Sequence, residues 1–164
     1  MKKTVNTMLH KEEVRKLAKE CGAELVGFAP LDRFCEAPPG FHPHDIQPGA
    51  QTVIVLGCRF SGAAMDSGSS ESYSLERNRL NQVVDRITLD LASGLEENGY
   101  PSVAILSRDV RLDSRGRFHG KISFKHAAVA AGMGSLGKND LLIHPYYGNR
   151  LWLGAVVTEI KIEP

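Results

Sequence analysis

The stretch Thr52-Val53-Ile54-Val55-Leu56-Gly57-Cys58 has no polar face. A strand sends successive side chains to opposite sides, so an apolar run without alternation needs cover on both. It predicts a buried central strand. A second pattern supplies one covering layer. Between Tyr73 and Asn98, the residues Leu80, Val84, Ile87, Leu91 and Leu95 recur at helical spacing and draw one apolar stripe. Gly99 closes that helix and Pro101 prevents its continuation.

The remaining elements are shorter. His10–Gly22 reads as an amphipathic helix with Val14, Leu17, Ala18 and Cys21 on one face. Glu24–Phe28, Ser102–Leu106, Asp140–Ile143 and Leu151–Ile160 read as strands, and Phe124–Ala131 as an Ala-rich helix stopped by Gly132. The prolines and glycines of Phe34–Gln51 predict an irregular loop, and the Gly/Ser-rich Ser61–Ser72 a mobile one. Arg108–Lys121 reads as an exposed loop or hairpin. Helices and strands alternate only loosely. The fold class expected is α+β in three layers, a mixed central sheet flanked by helices, in one domain spanning residues 1–164.

Composition narrows the function classes. With a net charge of +1, no global field argues for nucleic acid or a membrane surface. The longest apolar stretches are too short to span a bilayer, and no apolar signal core follows Met1-Lys2-Lys3, so a cytoplasmic protein is expected. The three cysteines, Cys21, Cys35 and Cys58, are widely spaced. An iron–sulfur cluster needs about four thiolate ligands, so none is expected within this chain. His42 and His44, beside Asp45, lack a well-spaced third metal ligand. No metal site is expected.

The most informative segment is Gly132-Met133-Gly134-Ser135-Leu136-Gly137-Lys138-Asn139, which follows the Ala-rich helix. Glycines let backbone N–H groups approach a ligand closely, and Lys138 adds a positive charge. A Rossmann loop would follow a strand, and a P-loop would place Ser or Thr after the lysine. A glycine-rich turn without ligand and a ligand-binding loop both remain open on the pattern alone. Downstream, Pro145-Tyr146-Tyr147-Gly148-Asn149-Arg150 forms a firm turn before the apolar run that leads to Val157-Thr158-Glu159.

Taken together, these segments resemble the epoxyqueuosine reductases and, more distantly, the corrinoid-dependent reductive dehalogenases. Gly22-Ala23-Glu24-Leu25-Val26-Gly27-Phe28-Ala29 and Pro48–Gly57 resemble the family's first two strands, so the likeness covers nearly the whole chain. The resemblance implies a nitroreductase-like catalytic domain that cradles a base-off cobalamin. It also implies electrons arriving from a ferredoxin-like iron–sulfur domain or protein, and a tRNA substrate whose epoxide oxygen is removed. By that likeness, Gly132, Gly134, Ser135, Gly137, Lys138 and Asn139 would meet the corrin, with Tyr147 and Arg150 near the same wall. FMN on the same scaffold and a non-catalytic domain that only binds a cofactor or partner are the alternatives.

The chain departs from the family's pattern in two places. It stops at Ile160–Pro164, about where the family begins its cluster-binding part, so either a shortened chain or a stand-alone variant is expected. The family's acidic proton donor, shortly before the Ala-rich helix, has no counterpart: Lys121–His126 contains no carboxylate, and Asp109 and Asp113 lie farther back. His119 and His126 are the candidate proton donors in its stead, because imidazole titrates near neutrality. Arg108, Arg111, Arg115, Arg117 and Lys121 form a basic run interrupted by two aspartates that could meet RNA phosphates, although a solvated hairpin explains it better.

Overall fold

In the computed structural model, residues 9–112 and 115–162 are described; residues 1–8, Asp113, Ser114, Glu163 and Pro164 lie outside them. The strands β1 (Leu25–Pro30), β2 (Thr52–Arg59), β3 (Ser102–Ile105) and β8 (Leu151–Thr158) form one sheet in the order β1-β2-β8-β3. Two small hairpins complete the strands: β4 (Val110–Leu112) with β5 (Phe118–Gly120), and β6 (Ser135–Leu136) with β7 (Leu142–Ile143). The helices are α1 (Lys11–Glu20), α2 (Gly62–Asp66), α3 (Ser70–Glu97) and α4 (Phe124–Ala130).

The expected mixed sheet is corrected to an antiparallel one, because every neighbouring pair runs antiparallel. β2, α3 and β3 do form a strand–helix–strand crossover, which would make parallel neighbours if β2 and β3 touched. The last strand, β8, inserts between them, so each meets an antiparallel partner instead.

The reading of β2 as covered on both faces holds. Ile54, Leu56 and Cys58 join the stripe Leu80, Val84, Ile87, Leu91 and Leu95 of α3, together with Val14 and Ala18 of α1. Val53 and Val55 pack on the opposite side with Ala127 and Ala128 of α4. Gly154 of β8 lets α3 come close: a Cβ there would stand 2.5 Å from Thr88 Oγ1 and 2.7 Å from Val84 Cγ1.

The loop expected at Ser61–Ser72 is corrected too, since α2 and the first turn of α3 occupy most of it. Its serines cap helices. Ser61 Oγ accepts the Ala64 N–H at 3.3 Å, and Ser69 Oγ accepts the Ser72 N–H at 3.1 Å. Glu76, whose carboxylate accepts the Ser61 N–H at 3.1 Å and pairs with Arg79, ties α2 to α3. No helix among the described residues is long and apolar enough to cross a membrane.

Candidate functional site

Two regions flank α4. At its C-terminal end lies the glycine loop. Gly132 takes a positive φ of 73° and ends the helix, with its N–H donated to Val129 O and that of Met133 to Ala128 O, both at 2.9 Å. Met133 is buried against β1, where a Cβ on Gly27 would lie 2.8 Å from its Cγ. The chain then forms the β6–β7 hairpin, closed by Gly137 N–H to Leu141 O at 2.9 Å. Asp140 sits at φ 61°, and the Lys125 ammonium of α4 bonds to its carboxylate and holds it below the usual carboxylate range.

The three glycines serve different ends. A Cβ on Gly134 would collide with the Ile143 carbonyl oxygen and lie 3.3 Å from His144 Cα. One on Gly137 would stand 2.8 Å from Asn139 Oδ1 and 3.1 Å from Ile143 Cγ1. Both positions therefore bring the chain against itself. Gly132 alone of the three has open space where a Cβ would stand. Ser135, Lys138 and Asn139 are exposed.

The Pro145–Arg150 turn joins this loop through His144, whose ring stacks on Tyr147 with centroids 5.0 Å apart. The Arg59 guanidinium lies 5.6 Å from the Tyr147 ring centroid and pairs with Glu24. Arg150 reaches toward α2, its Nη1 3.1 Å from where a Cβ on Gly62 would be, and its carbonyl accepts the Phe60 N–H at 2.9 Å. The two sequence segments thus meet at His144, while Arg150 turns away toward α2.

Along the outer face of α4 lies a second region, a cleft of about 780 Å3 lined mainly by apolar groups. Phe34, Ala37, Phe41, Ile122, Val129 and Ala130 supply most of its wall, with Arg33, Glu36 and Ser123 as polar members. Both candidate proton donors, His119 and His126, line it. Ser123 Oγ stands 2.6 Å from His126 Nδ1 and fixes that ring. His119 meets Phe41 edge to face at 5.7 Å. Arg33 spans the cleft's edge, donating to the Ala130 carbonyl at 2.6 Å. The lining includes none of Gly132–Asn139, Tyr147 or Arg150 among the described residues.

Sequence reasoning brought forward the histidines but missed Arg33, Glu36 and Phe41. These come from the irregular segment after β1, which has no periodicity to read. His42 and His44 serve the local turn: His42 Nδ1 accepts the His44 amide at 3.2 Å. No group of three His, Cys, Asp or Glu side chains suited to a metal occurs among the described residues. Burial pushes the Cys58 thiol up, and burial beside Asp90 and Glu20 does the same for Cys21. Alkylation with iodoacetamide at pH 8, followed by peptide mass spectrometry, is therefore expected to modify the exposed Cys35 first and the buried Cys58 last.

No protein-family model matches the chain. It is 26% identical to an epoxyqueuosine reductase of Lactococcus garvieae, over 93% of this chain and 49% of that protein. A 45-residue segment, 27% of this chain and 12% of the relative, is 47% identical to the epoxyqueuosine reductase of Listeria monocytogenes. The chain thus spans at most about half the length of these curated relatives. Among solved structures, a reductive dehalogenase described with a B12-dependent mechanism superposes with a TM-score of 0.73 at 17% identity, over 93% of this chain and 21% of that one. The epoxyqueuosine reductase of Streptococcus thermophilus gives 0.60 at 22%, over 94% and 47%. One solved with an epoxyqueuosine-modified tRNA stem loop gives 0.60 at 20%, over 94% and 46%. The chain is similar to epoxyqueuosine reductases in sequence, and it shares its fold with them and with reductive dehalogenases.

Proposed function

We propose that this chain is a corrinoid-binding redox domain of the epoxyqueuosine reductase kind, on a nitroreductase-like scaffold. Its electrons come from an iron–sulfur donor outside these residues, and its substrate is a modified tRNA. The observation that carries this reading is the cleft along α4, with two imidazoles on its wall, in a chain that aligns with an epoxyqueuosine reductase over 93% of its length.

The cleft suits a corrin in kind. Its volume falls within the range of about 300–1000 Å3 usual for ligand sites. Phe34, Ile122 and Val129 offer apolar contact to a flat macrocycle face, while Arg33, Glu36 and Ser123 can meet the amides at its rim. When bound, a reduced corrinoid supplies the electrons for removing the epoxide oxygen. This chain's residues bind and orient the substrate and supply the proton. Ser123 engages His126 Nδ1 and orients that ring, and His126 and His119 are the two proton donors. The glycine loop fixes the end of α4, with Gly132 as its one open position on the Cβ side. Arg108, Arg111, Arg115, Arg117 and Lys121 are the residues offered to RNA phosphates.

Titration with cob(II)alamin, followed by its visible spectrum and run in parallel with FMN, tests the reading. Saturable binding of cobalamin and none of FMN is expected. Val129→Trp, at an exposed position on the cleft wall, should weaken cobalamin binding at least about tenfold while the melting temperature stays nearly constant. FMN binding in place of cobalamin would overturn the proposal. Unchanged affinity in Val129→Trp would move the site out of the cleft.

A further inference from the structure

The β4–β5 ribbon turns one face to the protein and leaves the other uncovered. Arg111 stands opposite His119, and Leu112 opposite Phe118. Side chains alternate along a strand, so Arg111 and His119 share one face while Val110, Leu112 and Phe118 share the other. The first face is held down. The Arg111 guanidinium lies 5.1 Å from the Phe41 ring centroid and donates to Gly40 O, and His119 meets the same ring edge to face. The second face points away. Its three side chains are 53%, 61% and 72% exposed, and none of them joins either core cluster.

The ribbon is also where the chain gathers its positive charge. Residues 108–121 hold five cations and two aspartates, a net charge of +3 in a chain of +1, so the other 150 residues together carry −2. Lys121 is taken up by Asp109 at 2.6 Å, at the foot of the ribbon. Arg108 is exposed at that foot, and Arg115 and Arg117 are exposed at the tip. Cations thus stand at both ends of an apolar face.

Charge and shape together select the occupant. A second copy of the chain would bring one basic ribbon against another, over a face of three side chains, where a stable interface buries about 1000 Å2 or more. A bilayer takes up apolar tips, and this tip carries Arg115 and Arg117. An RNA duplex offers phosphates to the arginines but hides its base faces in the stack. Unpaired RNA offers both a phosphate chain and flat base faces that stack on an aromatic ring.

We infer that the outer face of the β4–β5 ribbon binds an unpaired segment of RNA, with one base stacked on Phe118. Leu112 and Val110 extend that platform, and Arg108, Arg115 and Arg117 meet phosphates on either side of it. His119, the next residue, lines the cleft along α4. The ribbon therefore holds the RNA beside the cleft. This deepens the proposed function: it rests on a tRNA substrate and names the part that is read, a single-stranded loop rather than a stem.

Fluorescence anisotropy with a labelled RNA stem–loop and a blunt RNA duplex of equal length, at low salt and without cobalamin, tests it. The stem–loop is expected to bind at least about tenfold more tightly than the duplex. Phe118→Ala should weaken stem–loop binding by at least about fivefold and leave duplex binding and the melting temperature unchanged, since the ring is exposed. Phe118→Trp should keep the preference, and Arg108→Ala should weaken both RNAs alike. Equal affinity for the two RNAs, or a neutral Phe118→Ala, would overturn the inference while leaving a tRNA substrate in place. Binding of neither RNA would overturn both. Binding to anionic phospholipid vesicles in place of RNA would make the face a membrane contact and overturn the inference as well.

Discussion

Leu91→Ala is expected to lower the unfolding free energy by about 2–5 kcal/mol, as deletion of a wholly buried leucine does. Leu91 is 0% exposed, in the α3 stripe, within the cluster that holds Ile54, Leu56 and Val156 of the sheet. The cost lies toward the upper part of that range if the cavity cannot collapse, and the packing around it limits collapse. Gly154 already lets the helix approach β8 closely, and Thr88 anchors the next turn by donating its hydroxyl to Val84 O at 2.7 Å. Urea denaturation of the two proteins measures the difference. A loss below about 1 kcal/mol would be that of a surface position and would contradict the packing described.

Gly134→Val is expected to cost at least about 3 kcal/mol, the upper end for overpacking. The atoms that the new side chain meets are the Ile143 carbonyl and His144 Cα, which are backbone and cannot rotate away. Gly132→Ala is the informative companion. Nothing lies within 4 Å of its Cβ, so only the positive φ of 73° penalises it, by about 1–2 kcal/mol. Thermal melts of both variants check the ordering. If Gly134→Val melts like the wild type, the β6–β7 hairpin does not pack against the loop as described.

This second case shows how much of the site was legible in the sequence. The spacing of Gly132, Gly134 and Gly137 announces that the backbone must come close to something, but not to what. Here Gly134 and Gly137 approach the chain itself, at Ile143, and a one-dimensional pattern cannot tell a ligand from a strand a few residues farther on. The α3 stripe and the unalternating β2 were readable because periodicity reports burial directly. Strand order was not. The insertion of β8 between β2 and β3 depends on pairing across the whole chain, which no local pattern encodes. The serines at Ser61 and Ser69 were read as loop composition, although each is a helix cap defined by the residue three positions on. The cleft was half visible: its histidines stood out chemically, while Arg33 and Phe41 arrive from a segment without repeat.

The place of β8 also governs the order in which the molecule can assemble. Thr52 lies opposite Thr158 and Arg59 opposite Leu151, so a strand near the middle of the sequence waits for one near its end. Until residues 151–158 leave the ribosome, β2 has only β1 beside it, and β3 has no sheet neighbour at all. Such long-range closure is slow, because the entropy of a loop of about 100 residues must be lost before any pairing is gained. During that interval the most apolar strand of the chain carries a bare edge. That edge is a surface for chaperones or for aggregation while synthesis proceeds.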